Sequence, residues 1–311
     1  MRVAAALAIA IAFAAATSAA PQDGAAQAPA AQVPVFRAGA DVVAVEASVR
    51  RDRRSVTGLK AEDFELLDNG VAQQIVDVNY EKLPIDVTVL LDVSASVTGS
   101  ALDELRRALR QLRTDLGAVD RLRLVTFNMA MHRVVDFTEP AASIDRALAS
   151  VGGAGSSAVF DTLAVALTAP VPAGRRQLIV LFSDGQDSSS ISDADTLLDV
   201  ARRTTPTVAV VLTSSARQRP ASLLRTATKL GSATVGEIAD QIAGETGGFV
   251  AAIEPGDNLT STFRRVLDQF RSSYVLFFTP TGVDTKGSHT LEVRLKRTKA
   301  DIRARRSYVW R

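Results

Sequence analysis

The sequence predicts an α/β fold: a doubly wound, mostly parallel sheet with helices on both faces, plus a small antiparallel β unit built from the N- and C-terminal flanks. Three observations carry this. Between residues 84 and 272, short apolar β-branched runs alternate with amphipathic helical patterns, at spacings that imply right-handed crossovers and a parallel sheet. One such run, residues 87–91, contains no Gly or Pro and suits a strand buried on both faces. Outside 84–272 the pattern becomes a period-two alternation broken by turn signals, as expected of antiparallel strands.

Composition sets bounds. With 311 residues and 47% hydrophobic content, the chain can bury a sizeable core in two domains, or in one domain with an elaboration. A net charge of +2 gives no case for nucleic-acid binding by bulk charge. The absence of cysteine excludes disulfides, thiolate metal sites and a Cys nucleophile. His132 and His289 are the only histidines, so a multi-His zinc site is not available.

Residues 1–20 read as a signal peptide. Met1-Arg2 is a short basic start, 3–16 an apolar run too short for a typical span, and Thr17 to Ala20 a run of small residues. Cleavage is expected after Ala19 or Ala20; the other reading is an uncleaved anchor. No later stretch is long and apolar enough to cross a membrane. The expected location is the periplasm or the cell exterior. Residues 21–33 are an Ala/Pro/Gln-rich linker, expected to be disordered.

Residues 34–83 read as an N-terminal β segment. Val43, Val45, Ala47 and Val49 alternate, 52–54 is a polar turn, and 64–67 and 71–80 flank Asp68-Asn69-Gly70, a strong hairpin signal. Arg51, Arg53 and Arg54 form a basic tip, read as solvated. In 84–272, strands are expected at 121–127, 132–137, 177–182, 207–212 and 248–252. Helices are expected from Ser100 to Leu116, at 143–149, 159–168, 194–203, 235–244 and 258–272. Ser100 is placed to cap the first of these. The tail, 273–311, holds strands at 274–278, 289–296 and 302–310, expected to pack with 34–83.

The run at 87–91 ends in Asp92, with Ser94 and Ser96 at alternate positions after it. In open α/β sheets, ligands bind beyond the carboxyl ends of the strands. A carboxylate and two hydroxyls are hard oxygen donors that suit Mg²⁺, Mn²⁺ or Ca²⁺. The same residues also suit a turn that caps the next helix. Two further stretches bear on the choice. Residues 180–185 repeat the design, an apolar strand running into Ser183, Asp184 and Gly185. Ser157 and Asp161 follow a Gly-rich loop. In a parallel sheet all three stretches reach one edge.

Asp92-Val-Ser94-Ala-Ser96 resembles the Asp-x-Ser-x-Ser signature of the von Willebrand factor type A domain. Gly155-Ser-Ser-Ala-Val-Phe-Asp161 is similar to that family's Gly-Gly-Thr-Ala-x-x-Asp setting, with Ser157 at the place of the Thr. Asp184, in Phe-Ser-Asp-Gly, matches its later aspartate. The resemblance covers about 84–272. The flank at 56–64 looks like those of a bacterial secreted subfamily. The resemblance implies a Rossmann-like fold and a metal-ion-dependent adhesion site (MIDAS). It implies that Asp92, Ser94, Ser96, Ser157 and Asp184 form a metal site for Mg²⁺ or a similar ion, the serines ligating and the aspartates often acting through water. Asp161 and Asp187 are candidates for the surrounding layer; Asp187 reads more simply as a loop residue. The implied partner is a protein that offers an Asp or Glu, and the implied role is non-enzymatic adhesion or binding.

Two other classes stay open: a metal-dependent hydrolase on the same scaffold, and a structural envelope protein whose metal site is vestigial. The Gly-rich loop lacks the Gly-Lys-Ser/Thr of a phosphate loop, no Gly-x-Ser-x-Gly elbow is present, and no general base is visible beside Asp92.

Overall fold

The computed structural model describes residues 42–52, 54–80, 83–94, 100–138, 142–149, 155–220, 234–253 and 257–310. The chain divides into two compact units, 1–36 and 37–311. The first, with the expected signal peptide and most of the linker, lies outside the described residues, as do Arg53, Ser96 and the side chain of Ser100.

The N-terminal flank forms β1 (Val43–Arg51), β2 (Arg54–Ser55), β3 (Phe64–Asp68), β4 (Val71–Gln73) and β5 (Ile75–Tyr80). The alternation in β1 is real: Val45, Ala47 and Val49 are fully buried and face Phe64 and Leu66 of β3 within one core. The hairpin signal also holds, because Asn69 adopts a positive φ of 48° and Gly70 one of 81° between β3 and β4.

The single strand expected at 71–80 is two. β4 pairs with β3, whereas β5 lies in another sheet beside a tail strand. The chain crosses over where the Gln73 side chain turns to Thr281: its Oε1 accepts from Thr281 N at 2.9 Å and its Nε2 donates to Thr281 O at 2.9 Å.

The central sheet is built from β6 (Ile85–Asp92), β7 (Arg121–Phe127), β8 (Met131–Val135), β9 (Arg176–Phe182), β10 (Thr207–Thr213) and β11 (Phe249–Ile253). Its order is β11-β10-β9-β6-β7-β8, parallel throughout except for β8. The helices are α1 (Ser100–Asp115), α2 (Ala142–Ala149), α3 (Val159–Leu167), α4 (Ala194–Arg203), α5 (Ser214–Arg217), α6 (Val235–Thr246) and α7 (Leu259–Arg271). Successive residues of β6 serve opposite faces. Val89 and Leu91 pack with Leu105 and Leu109 of α1 and Phe263 of α7. Leu90 packs with Leu163 of α3, Leu197 of α4 and Ile238 of α6. Both faces being covered is why β6 carries no polar alternation.

The tail supplies β12 (Tyr274–Phe278), β13 (Gly287–Leu295), β14 (Asp301–Ala304) and β15 (Ser307–Trp310). The strand expected at 302–310 is also split. At the break Arg305 N still donates to Glu46 O, one step beyond the Ala47↔Ala304 pair, whereas Arg306 N turns away to Gly244 O, each at 3.2 Å. β14 then joins β1, and β15 joins β13.

The result is two antiparallel sheets over one apolar core. One has the order β14-β1-β12-β5, with β2 beside β1; the other has the order β15-β13-β3-β4. Both flanks contribute to each. This sandwich meets the central sheet at the start of β9, where buried Arg176 bonds Glu46 of β1 and, at 2.6 Å each, Ser273 Oγ and Phe270 O. It therefore lies at the amino ends of the parallel strands, away from Asp92.

Candidate metal centre

Asp92 is the last residue of β6, the strand flanked by β7 and β9. It is only 1% exposed. A buried carboxylate must be hydrogen-bonded to persist, and this one is bonded through both oxygens. Oδ1 accepts from Ser94 N at 3.0 Å and from Ser157 Oγ at 2.9 Å. Oδ2 accepts from Ser183 Oγ at 2.8 Å. Asp92 thus ends its strand at the sheet edge but is enclosed by the groups that bond it.

Ser157 lies just before α3 and is 2% exposed. Its carbonyl accepts from Ser188 N at 3.0 Å and Ser189 N at 3.1 Å, and Ala158 N donates to Asn128 O at 2.8 Å. The loop before α3 is thus tied to the loop after β9 on one side and to the β7–β8 turn on the other. Ser183 follows β9, and its hydroxyl also accepts from Gly185 N at 3.0 Å.

Asp184 lies on the same sheet edge, because Leu91 and Phe182 are paired in register. It is partly exposed. Its Oδ1 accepts from Gln186 N at 3.0 Å, and its carbonyl from Arg219 Nη1 at 3.0 Å. Gly185, next to it, has a φ of 76°, and a Cβ there would meet Val235 Cγ1 at 2.6 Å. Only glycine lets the chain turn here with α6 so close.

The other two aspartates brace loops. Asp187 is 2% exposed and accepts from Phe160 N at 2.8 Å, Ser190 Oγ at 2.7 Å and Ser190 N at 3.1 Å. It fixes the first turn of α3 to the loop after β9. Asp161 accepts from Ile191 N at 2.8 Å and Ser192 N at 2.9 Å. Burial pushes its carboxyl up, but the Ile191 and Ser192 bonds outweigh this and hold it below the usual carboxylate range.

The structure thus brings Asp92, Ser94 and Ser157 into one cluster, with Asp184 on the same edge; Ser96 lies outside the described residues. Among the described residues, no group of three or more His, Cys, Asp and Glu side chains is placed to hold a metal. The available donors are hydroxyls and aspartates. This set fits a hard cation, because a hydroxyl that donates to Asp92 keeps lone pairs for an ion.

The family model of the von Willebrand factor type A domain matches residues 86–264. The chain belongs to this family. Several solved structures of the VWA kind resemble it at low identity. A von Willebrand factor type A protein from Catenulispora acidiphila is 12% identical, with 88% of this chain and 74% of that chain covered and a TM-score of 0.46. An aerotolerance-related membrane protein from Bacteroides fragilis is 17% identical, with 60% of this chain and 98% of that one covered and a TM-score of 0.45. Proximal thread matrix protein 1 from the mussel byssus, with a zinc-occupied MIDAS motif, is 13% identical, with 64% and 48% covered and a TM-score of 0.46. Comparison with curated proteins finds no match.

VWA domains bind protein ligands and often hold a divalent cation at a MIDAS. Among the described residues, no helix is long and apolar enough to cross a membrane. The sequence reading places Ser183 at the end of the 180–185 stretch but gives it no role, whereas here it donates to Asp92. The signal for it was register, since pairing Leu91 with Phe182 sets Ser183 beside Asp92.

Proposed function

We propose that the chain is an exported, non-enzymatic binding module. Its VWA edge holds Mg²⁺, or Mn²⁺ or Ca²⁺, through Asp92, Ser94, Ser96, Ser157 and Asp184. The observation that carries this reading is the meeting of Asp92 and Ser157, 65 residues apart, in one buried cluster at the carboxyl end of β6. The bound ion supplies an open coordination position for a carboxylate of a protein partner. Asp92 and Asp184 balance its charge, and the serine hydroxyls hold it without neutralising it.

The rim suits a protein partner. Met129 and Met131 at the β7–β8 turn and Ile191 after β9 are 67%, 41% and 94% exposed. Met is among the residues enriched at protein interfaces, whose buried cores are more apolar than the rest of the surface. Export rests on residues 1–20, read as a signal peptide.

A specific observation favours a second reading, a structural protein with a vestigial site. Both oxygens of Asp92 already have donors within the fold. Titration calorimetry with Mg²⁺ and Mn²⁺ separates the two. Saturable binding that is lost in Asp184→Asn supports the metal site; no heat with either ion supports the second reading. Partner capture that is sensitive to EDTA and absent in Asp92→Ala would extend the result to adhesion. Turnover of simple phosphoesters or esters would instead favour a hydrolase.

A further inference from the structure

A second candidate site lies far from Asp92, between the sandwich and α7. It is an open groove of about 390 Å³, lined by Arg50 and Arg54 on one wall and by Arg264, Arg265, Asp268 and Gln269 on the other. This volume falls in the range of small-molecule sites, roughly 300–1,000 Å³. We propose that the groove binds a small anion carrying two phosphoryl groups, one for each wall.

The α7 wall has a simple origin. Phe263, Val266, Leu267 and Phe270 are buried, so Arg264, Arg265, Asp268 and Gln269 are left on the solvent side of the helix. That alone would be an ordinary charged face. What sets it apart is the opposite wall, where the β1–β2 tip places Arg50 and Arg54. Guanidinium groups then line both walls with one carboxylate between them, and like charges held together disfavour folding.

Several arginines elsewhere in the fold are matched by carboxylates. Arg121 and Arg175 share Asp86, Arg217 meets Asp240, and Arg271 meets Asp120. Within the groove, Arg264 bonds Asp115 at 3.0 Å. Among the described residues, Arg265 reaches only the Thr262 hydroxyl, at 3.5 Å, and Arg54 has no ion-pair partner. These two guanidiniums, one on each wall, are the free forks. Guanidinium forks match phosphoryl oxygens two at a time.

The walls are also fixed to each other. Ser55 Oγ and Ser272 Oγ bond at 2.6 Å, joining β2 to the end of α7, and Ser272 Oγ donates to Asp268 O at 2.6 Å. Arg51 Nε donates to Lys299 O at 2.9 Å, which holds the tip from its other side. A ligand therefore meets walls that need not be ordered first.

Titration calorimetry with sodium pyrophosphate tests this, in EDTA and at matched ionic strength. Saturable one-to-one binding is expected, weakened at least tenfold in the Arg54→Ala/Arg265→Ala double variant and also weakened by Gln269→Glu. Asp92→Ala should bind as the wild type does, which separates this groove from the metal edge. Absence of saturation at millimolar pyrophosphate would overturn the proposal. So would equal binding by the double variant, or equal heats from sulfate or chloride.

Discussion

Ser183 Oγ donates to Asp92 Oδ2 at 2.8 Å, from a residue just beyond the strand next to that of Asp92. The carboxylate is thereby held from both sides, by Ser157 on Oδ1 and Ser183 on Oδ2. Its position is set by two hydroxyls as much as by its own strand.

Ser183→Ala should lower the melting temperature. The change leaves a buried carboxylate oxygen without its donor, which costs about 1–3 kcal/mol. For a chain of this size each kcal/mol moves melting by roughly 2–4 °C. Ser183→Thr keeps the hydroxyl and should recover most of the loss. Thermal melting of the three proteins in EDTA checks this; an alanine variant that melts with the wild type would rule it out.

Asp92→Ala should be destabilised even without metal. As a surface change it would cost less than about 0.5 kcal/mol. As a buried acceptor of bonds from Ser94, Ser157 and Ser183, it should cost about 2–3 kcal/mol. The wild type should gain stability with excess Mg²⁺ by mass action, and the variant should not. Melting both proteins with EDTA and with Mg²⁺ reads the two effects separately. Equal Mg²⁺ shifts would mean that Asp92 does not anchor the ion.

Asp86 should make the fold sensitive to acid. Its buried carboxylate accepts from Arg121 Nε at 2.8 Å and Arg175 Nε at 2.7 Å. Burial pushes its carboxyl up, but bonding and charge from the two arginines prevail, leaving it below the usual carboxylate range. A carboxyl lowered on folding stabilises fully above its unfolded pKa, about 4, and loses that contribution as pH falls through the folded value. Asp86→Asn should cost about 3 kcal/mol at neutral pH. Urea unfolding from pH 7 to pH 2.5 should show the gap between variant and wild type closing toward acid. A gap constant with pH would place its origin elsewhere.

Gly248→Ala should prevent folding. A Cβ there would lie 1.8 Å from Val208 O, a backbone atom of β10 that cannot rotate away. The expected cost exceeds about 3 kcal/mol, the upper end for overpacking. Gly174→Ala is the matched control. Its φ is 72° but nothing lies within 4 Å, so only the left-handed strain of about 1–2 kcal/mol applies. Soluble yield and melting of the two variants should separate clearly.

Much of the fold could be read from periodicity. The helix at 194–203 and the strand at 274–278 fall on the expected residues: the helix buries one regular face, and the strand is an apolar run buried almost throughout. The two split strands could not be read this way. Alternation continues through 71–80 and 302–310 while the chain passes from one sheet to the other. What ends each pairing is a contact across the chain, Gln73 with Thr281 and Arg306 with Gly244. The candidate site divides in the same manner. Asp92 announced itself by ending an apolar run. Its burial did not, because its hydroxyl donors come from 65 and 91 residues away.

The direction of β1 has a mechanical consequence. Val43 pairs with Phe278 and Ala47 with Tyr274, and Tyr274 follows Ser273, which touches Arg176 of the central sheet. β1 therefore runs toward that sheet and β12 away from it. Tension between the Asp92 edge and residue 43 would pull these two strands past one another along their length. The five residue pairs from Val43↔Phe278 to Ala47↔Tyr274 would then share the load instead of opening in turn. Loaded in shear, the sandwich would be the kind of mount that the proposed capture of a partner at the Asp92 edge requires.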